Sequence, residues 1–184
     1  MKSRLASSLL VCALALAWNP ARALAEHQQV PVMRVHAETE VLAKPGSVWS
    51  YITTGRNLVT WCPQWKSKEN ELVSITHVGD VLDYTDEWGN GGRSVVTYLD
   101  KGKELRVAHE PENGGYMCQA KFVLTPTEKG TRVQLWDQYT DESSPTDMAA
   151  TAEKMEKELA ETVAALKSGC ESRSKHGVSF HVTK

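Results

Sequence analysis

The sequence has no surplus of positive charge. Its 21 Lys and Arg residues are outnumbered by 23 Asp and Glu, and no basic stripe runs beside a stacking aromatic. That excludes binding driven by clustered contacts to nucleic-acid phosphates. Cysteine is scarce, four in 184 residues, and the spacings match no zinc or dithiol redox motif. The glycine cluster Gly89-Asn90-Gly91-Gly92 lacks the Gly-Lys-Ser/Thr of a phosphate-binding loop and no helical pattern follows it, so it reads as a hairpin turn. No nucleophile elbow appears. The six histidines, His27, His36, His77, His109, His176 and His181, are scattered. No spacing forces two ligands together, so neither a metal nor a cofactor is expected.

What is present begins with a leader. Lys2 and Arg4 precede an apolar run from Leu5 to Trp18 that is short for a membrane span, and Ala23-Leu24-Ala25 offers small residues for cleavage. Residues 1–25 are expected to be a secretory signal peptide. The protein is then periplasmic or secreted, with no transmembrane segment after signal removal. Cleavage takes Lys2, Arg4 and Arg22 away, which leaves the mature chain more acidic. Cys62, Cys118 and Cys170 remain. An oxidising compartment permits one disulfide among them, and the pairing stays open.

The remaining length suits one domain. Val32 to Leu42 reads as a strand. Ser47 caps a short helix from Val48, Gly55 breaks it, and a second short helix ends before Pro63. Strands are then expected over Lys66–Ile75, Asp80–Trp88, Arg93–Asp100, Glu104–Glu110, Tyr116–Thr125 and Thr131–Thr140, joined by short turns that contain glycine. Alternation puts Tyr116, Cys118, Ala120, Phe122 and Leu124 on one face, and Val133, Leu135, Asp137 and Tyr139 on the matching face of the next strand. Ser144-Pro145 then opens an amphipathic helix whose apolar stripe includes Met148, Ala152, Met155, Leu159 and Leu166, and Gly169 ends it. The region 26–170 is thus one α+β domain, followed by a polar tail over 171–184.

A long antiparallel sheet curls because its strands twist. One helix covers the concave side without filling it, so an internal cavity follows, and concave sites of this kind bind small molecules. Inward positions give the candidate lining: Tyr84, Trp88, Tyr98, His109, Tyr116, Phe122, Asp137, Tyr139, Met148, Met155 and Leu159. Asp137 stands among apolar neighbours. It is either a polar anchor or general base of raised pKa, or a wet or hydrogen-bonded residue near a strand end. His109 precedes the Pro111 turn and is either an acid/base group or a structural histidine. Trp49, Trp61 and Trp65 read as core, and Trp88 as rim.

Pro45-Gly46-Ser47-Val48-Trp49, then Trp61-Cys62-Pro63-Gln64-Trp65, in this element order, resembles the SRPBCC superfamily. That group includes START lipid-transfer domains, Bet v 1 allergens and polyketide cyclase/dehydrase-like proteins. The resemblance spans Val32 to about Cys170. It implies a helix-grip fold: a curved antiparallel sheet of about seven strands wrapped on a long C-terminal helix, with two short helices after the first strand. It also implies that the turns Gly89–Gly92 and Pro111–Gly115 cover the cavity mouth. Three functions follow as expectations: a carrier of a small apolar or amphipathic ligand such as a lipid, sterol or polyketide; a cyclase/dehydrase-like enzyme with His109 and Asp137 as acid and base; or an accessory protein docking on a periplasmic enzyme.

Overall fold

The computed structural model describes residues 32–86, 89–112, 114, 116–141 and 148–175. In chain order the elements are β1 (Val32–Val41), α1 (Pro45–Thr53), α2 (Gly55–Trp61), β2 (Val81–Thr85), β3 (Gly91–Asp100), β4 (Glu104–Pro111), β5 (Tyr116–Pro126), β6 (Thr131–Asp141) and α3 (Met148–Lys175). The strands form one sheet in the order β1-β6-β5-β4-β3-β2, antiparallel throughout. β2 to β6 make a meander. β1 lies beside β6, so the first strand pairs with the last. No helix among the described residues is long and apolar enough to cross a membrane. The signal sequence and the end of the tail lie outside the described residues.

Among the described residues the sheet has six strands rather than about seven. The strand expected over Lys66–Ile75 is replaced by a 3-10 turn at Asn70–Leu72 and a single bridge between Thr54 and Ser74. Asn70 explains the change, with its side chain 1% exposed. Its Nδ2 donates to the carbonyls of Trp65 and Asp83 at 2.8 and 2.9 Å, and its Oδ1 accepts the Asp83 N–H at 2.9 Å. One side chain satisfies three backbone groups, so this stretch needs no ladder.

Alternation sets the inner face. On β5, Cys118, Ala120, Phe122 and Leu124 are buried; on β6, Val133, Leu135 and Tyr139 are buried. Tyr98 breaks the pattern. The β3–β4 register slips between Val96 and Tyr98, and the extra residue of such a bulge reverses which face the next side chain takes. Val96 therefore points inward at 1% exposure while Tyr98 is 43% exposed, with the Arg106 guanidinium 4.9 Å above its ring.

The helices close the concave side. α1 starts at Pro45, with no side-chain cap from Ser47; proline suits a first-turn position because it has no N–H to leave unpaired. Gly55 opens α2 where the chain crowds itself, since a Cβ there would strike the carbonyl oxygens of Asn70 and Val73. The α3 stripe buries Met155, Leu159, Thr162, Val163, Leu166 and Cys170. Its far end is clipped to the end of β1: Glu171 accepts the Leu42 N–H at 2.9 Å, and Lys167 Nζ donates to the Glu40 carbonyl. Gly169 does not end this helix, which runs on to Lys175. It admits the Tyr51 ring of α1, whose hydroxyl and Cζ occupy the space a Cβ would need.

Trp61, Trp65 and Phe122 form the centre of the core. Trp61 meets both rings edge-on, at centroid distances of 5.9 and 5.7 Å. Each large apolar side chain removed from water contributes roughly 1.5–3 kcal/mol, and these three fill much of the volume between the sheet and α3.

Candidate functional site

Sheet register assembles the site. Cross-strand pairing lines up Leu82, Ser94, His109, Cys118, Tyr139 and Met33 as one inward rung spanning all six strands, and every member is buried. The neighbouring rung is Val96, Val107, Ala120, Asp137 and Val35. Asp137 is thus a half-buried carboxylate in a row otherwise made of Val and Ala. The small side chain of Ala120 opposite leaves space above the sheet. His109, Cys118 and Asp137 each turn a ligand-capable atom to the same place, all within 4.8 Å of one another.

His109 is held from two sides. Its Nδ1 lies 2.7 Å from Ser94 Oγ, which also accepts the Trp65 Nε1–H at 2.8 Å. The Tyr84 ring stacks on the imidazole with centroids 4.5 Å apart and planes 21° from parallel. Burial holds the histidine at about 4 instead of its usual 6.5, so it is neutral at neutral pH. Beyond it, the Tyr116 hydroxyl donates to Asp86 Oδ2 at 3.0 Å and stands 3.5 Å from the Tyr84 hydroxyl. Asp86 Oδ1 in turn accepts the Asn90 N–H at 2.7 Å.

Tyr84 and His109 face an internal cavity of about 60 Å³. Its apolar wall is Ala120, Phe122, Leu135, Met155 and Leu159; its polar wall includes Cys62, Gln64, Tyr84, His109, Cys118, Asp137, Glu158 and Thr162. The Cys62 thiol is pushed up to about 12, first by burial and then by the Asp137 carboxylate, with the Trp65 backbone N–H opposing. Burial also raises Glu158 above its ordinary value, with Lys154 opposing. Gln64, Glu158 and Thr162 are shared with an outer groove of about 380 Å³ between α3 and the Pro63–Trp65 turn. These three residues form the wall between the cavity and that groove.

Of the candidates read from the sequence, Tyr84, His109, Phe122, Asp137, Met155 and Leu159 line the cavity. Tyr116 and Tyr139 pack together one layer away, with ring centroids 5.1 Å apart. Tyr98 is on the outer face. Trp88 and the Met148 side chain lie outside the described residues. Gly92 pairs with Pro111 at the end of the sheet, so the two glycine turns adjoin, though neither contributes a described residue to the lining. Sequence reasoning missed Cys62, Gln64, Trp65, Cys118, Ala120, Leu135, Glu158 and Thr162 as lining. Cys118 and Leu135 were legible as inward positions. Cys62 to Trp65 form a turn with no periodicity to read. Cys62, Cys118 and Cys170 are buried thiols, not joined in a disulfide.

Comparison with known proteins fits this geometry. No family model and no curated protein matches the chain. Solved structures do. A protein of Mesorhizobium loti aligns with a TM-score of 0.59 at 15% identity, over 76% of this chain and 98% of its own. Norcoclaurine synthase from Thalictrum flavum, in complex with dopamine and hydroxybenzaldehyde, aligns with a TM-score of 0.57 at 17% identity, over 82% of this chain and 91% of its own. DynU16, from the dynemicin biosynthetic locus, aligns with a TM-score of 0.55 at 17% identity, over 76% of this chain and 49% of its own. The fold is the helix-grip fold. Its architecture is Bet v 1-like.

Proposed function

We propose that this is an exported binding protein that encloses a small amphipathic molecule between the sheet and α3. The carrying observation is the cavity itself, with an apolar wall from Phe122, Leu135, Met155 and Leu159 facing a polar wall centred on His109 and Asp137. A site of this kind fixes orientation through a few polar groups and gains affinity from the apolar remainder. Its volume, about 60 Å³, is far below the roughly 300–1,000 Å³ of drug-sized pockets. A cavity this small admits a ligand only as lining side chains such as Gln64, Met155 and Glu158 shift, and a small molecule asks for the least movement. Single-ring molecules of this kind, dopamine and hydroxybenzaldehyde, occupy the norcoclaurine synthase complex. Export is supported by the basic start, the apolar run and Ala23-Leu24-Ala25.

A second reading has its own support. A buried neutral imidazole and a carboxylate facing one cavity can move a proton to and from a carbonyl compound, as a cyclase-like enzyme requires. Native mass spectrometry of the protein recovered from its host tests both the export and the cargo. The expected result is a chain beginning at Glu26 that carries a small co-purifying molecule. His109→Gln and Asp137→Asn should each weaken rebinding of that molecule about tenfold. Recovery of an empty protein, or rebinding unchanged in both variants, refutes the binding reading. Failure to turn the molecule over removes the enzymatic one.

A further inference from the structure

We propose that His109, Cys118 and Asp137 form a binding site for a divalent zinc-class metal ion at the polar end of the cavity. The inference deepens the binding reading and rests on it, because the ion's remaining coordination position faces the same cavity and would receive the ligand's polar end. The three residues come from three adjacent strands, β4, β5 and β6. His109 and Cys118 are direct cross-strand partners, and Asp137 is the diagonal neighbour of Cys118.

Three properties of the cluster favour an ion. The first is donor chemistry. One imidazole nitrogen, one thiolate and one carboxylate oxygen are a borderline-soft set that suits zinc. Calcium and magnesium require oxygen-rich shells that this face does not offer. The second is charge. A thiolate and a carboxylate together carry two negative charges, a neutral imidazole carries none, and a divalent cation brings the sum to zero. Neutrality matters here because the neighbouring positions in the two rungs are mostly apolar and buried, and taking net charge into such surroundings is costly. Cys118 enters as the thiolate, its proton passing to solvent.

The third property is preorganisation. A histidine that ligates a metal usually donates its other ring N–H to a fixed acceptor. The tautomer that donates Nδ1–H to Ser94 Oγ, 2.7 Å away, leaves the Nε2 lone pair for an ion, and Tyr84 stacks on the ring. Tetrahedral zinc separates its ligand atoms by roughly 3.3–3.8 Å. The observed limit of 4.8 Å lies within about 1 Å of that range, so the three side chains must draw together slightly around an ion. Three protein ligands leave a fourth position open, as in zinc sites that bind exogenous ligands.

Cobalt(II) titration of the tag-free protein tests the site. One equivalent should produce a thiolate-to-cobalt charge-transfer band and the visible spectrum of a four-coordinate ion, both abolished by one equivalent of zinc. Cys118→Ser should remove the charge-transfer band, while Cys62→Ser and Cys170→Ser keep it. Asp137→Asn should weaken binding at least tenfold, and Ser94→Ala about tenfold by releasing the imidazole. Thermal melts of the metal-free variants identify any that fail to fold, and the near-isosteric Asp137→Asn stands in where Cys118→Ser does. No band, or a band untouched by Cys118→Ser and Asp137→Asn, overturns the proposal. The cavity is read separately by fluorine NMR of 4-fluorophenol with metal-free protein. Phenol binding without cobalt binding sinks the metal site and spares the binding function. Cobalt binding with no phenol signal, with or without the ion, supports the site and counts against the enclosed ligand.

Discussion

Replacing Gly169 with alanine sets two physical arguments against each other with opposite signs. Gly169 lies inside α3, six residues before its end at Lys175. In an exposed helix interior, alanine is about 1 kcal/mol more stable than glycine. Helix propensity alone therefore predicts a gain. The packing predicts a loss. The new methyl would overlap the Tyr51 ring at its hydroxyl end, and Tyr51 is only 6% exposed, so it has little room to withdraw. Overfilling a packed interior costs about 1–3 kcal/mol. Displacing the ring also loosens the 3.0 Å hydrogen bond between Tyr51 and Thr60, worth about 1 kcal/mol. The balance is a destabilisation of about 1–3 kcal/mol. Urea unfolding of wild type and Gly169→Ala, compared at equal slope, measures it. A Tyr51→Ala background completes the cycle: with the ring gone, Gly169→Ala should stabilise by about 1 kcal/mol, a coupling of about 2–4 kcal/mol. If Gly169→Ala stabilises the protein with Tyr51 intact, the close packing of α3 on α1 is wrong.

Three further outcomes are expected. Asn70→Ala leaves three backbone groups near Trp65 and Asp83 without their partner, and should cost about 2–4 kcal/mol in urea unfolding. His109 takes its proton near 6.5 when unfolded but only near 4 when folded. The unfolded state binds more protons between those values, so metal-free protein should lose stability as pH falls through them, about 3 kcal/mol by pH 4, and His109→Gln should lose that much less over the same range. Cys62 and Cys170, held at about 12 by burial, should react slowly with iodoacetamide at pH 8 and rapidly in urea; fast labelling of the folded protein would contradict their burial.

The strands and their inner faces were legible because alternation is local: Cys118 to Leu124 and Val133 to Tyr139 declare their sides within a few residues. What escaped was set by partners distant in sequence. A bulge against β4 turned Tyr98 outward, and only the register of the pair could reveal it. The Lys66–Ile75 stretch had the composition of a strand, yet Asn70 bonded to Trp65 and Asp83 instead. Gly169 looked like a helix stop because the Tyr51 ring, over a hundred positions earlier, could not be seen from the sequence around it. His109, Cys118 and Asp137 are separated by nine and nineteen residues, spacings with no helical or single-strand meaning. Two hairpin registers make them neighbours.

The placement of β1 against β6 has a consequence for biogenesis. Among the described residues β1 pairs with β6 alone, whose residues lie about 90 to 108 positions downstream, so during synthesis it must wait, with unsatisfied backbone groups, until β6 is made. Pairings of such long sequence separation are slow to form, and a waiting strand is an available template for association with another copy. The molecule is therefore most vulnerable to aggregation before its own two ends have met, and a truncation short of Thr131 would make that vulnerability permanent.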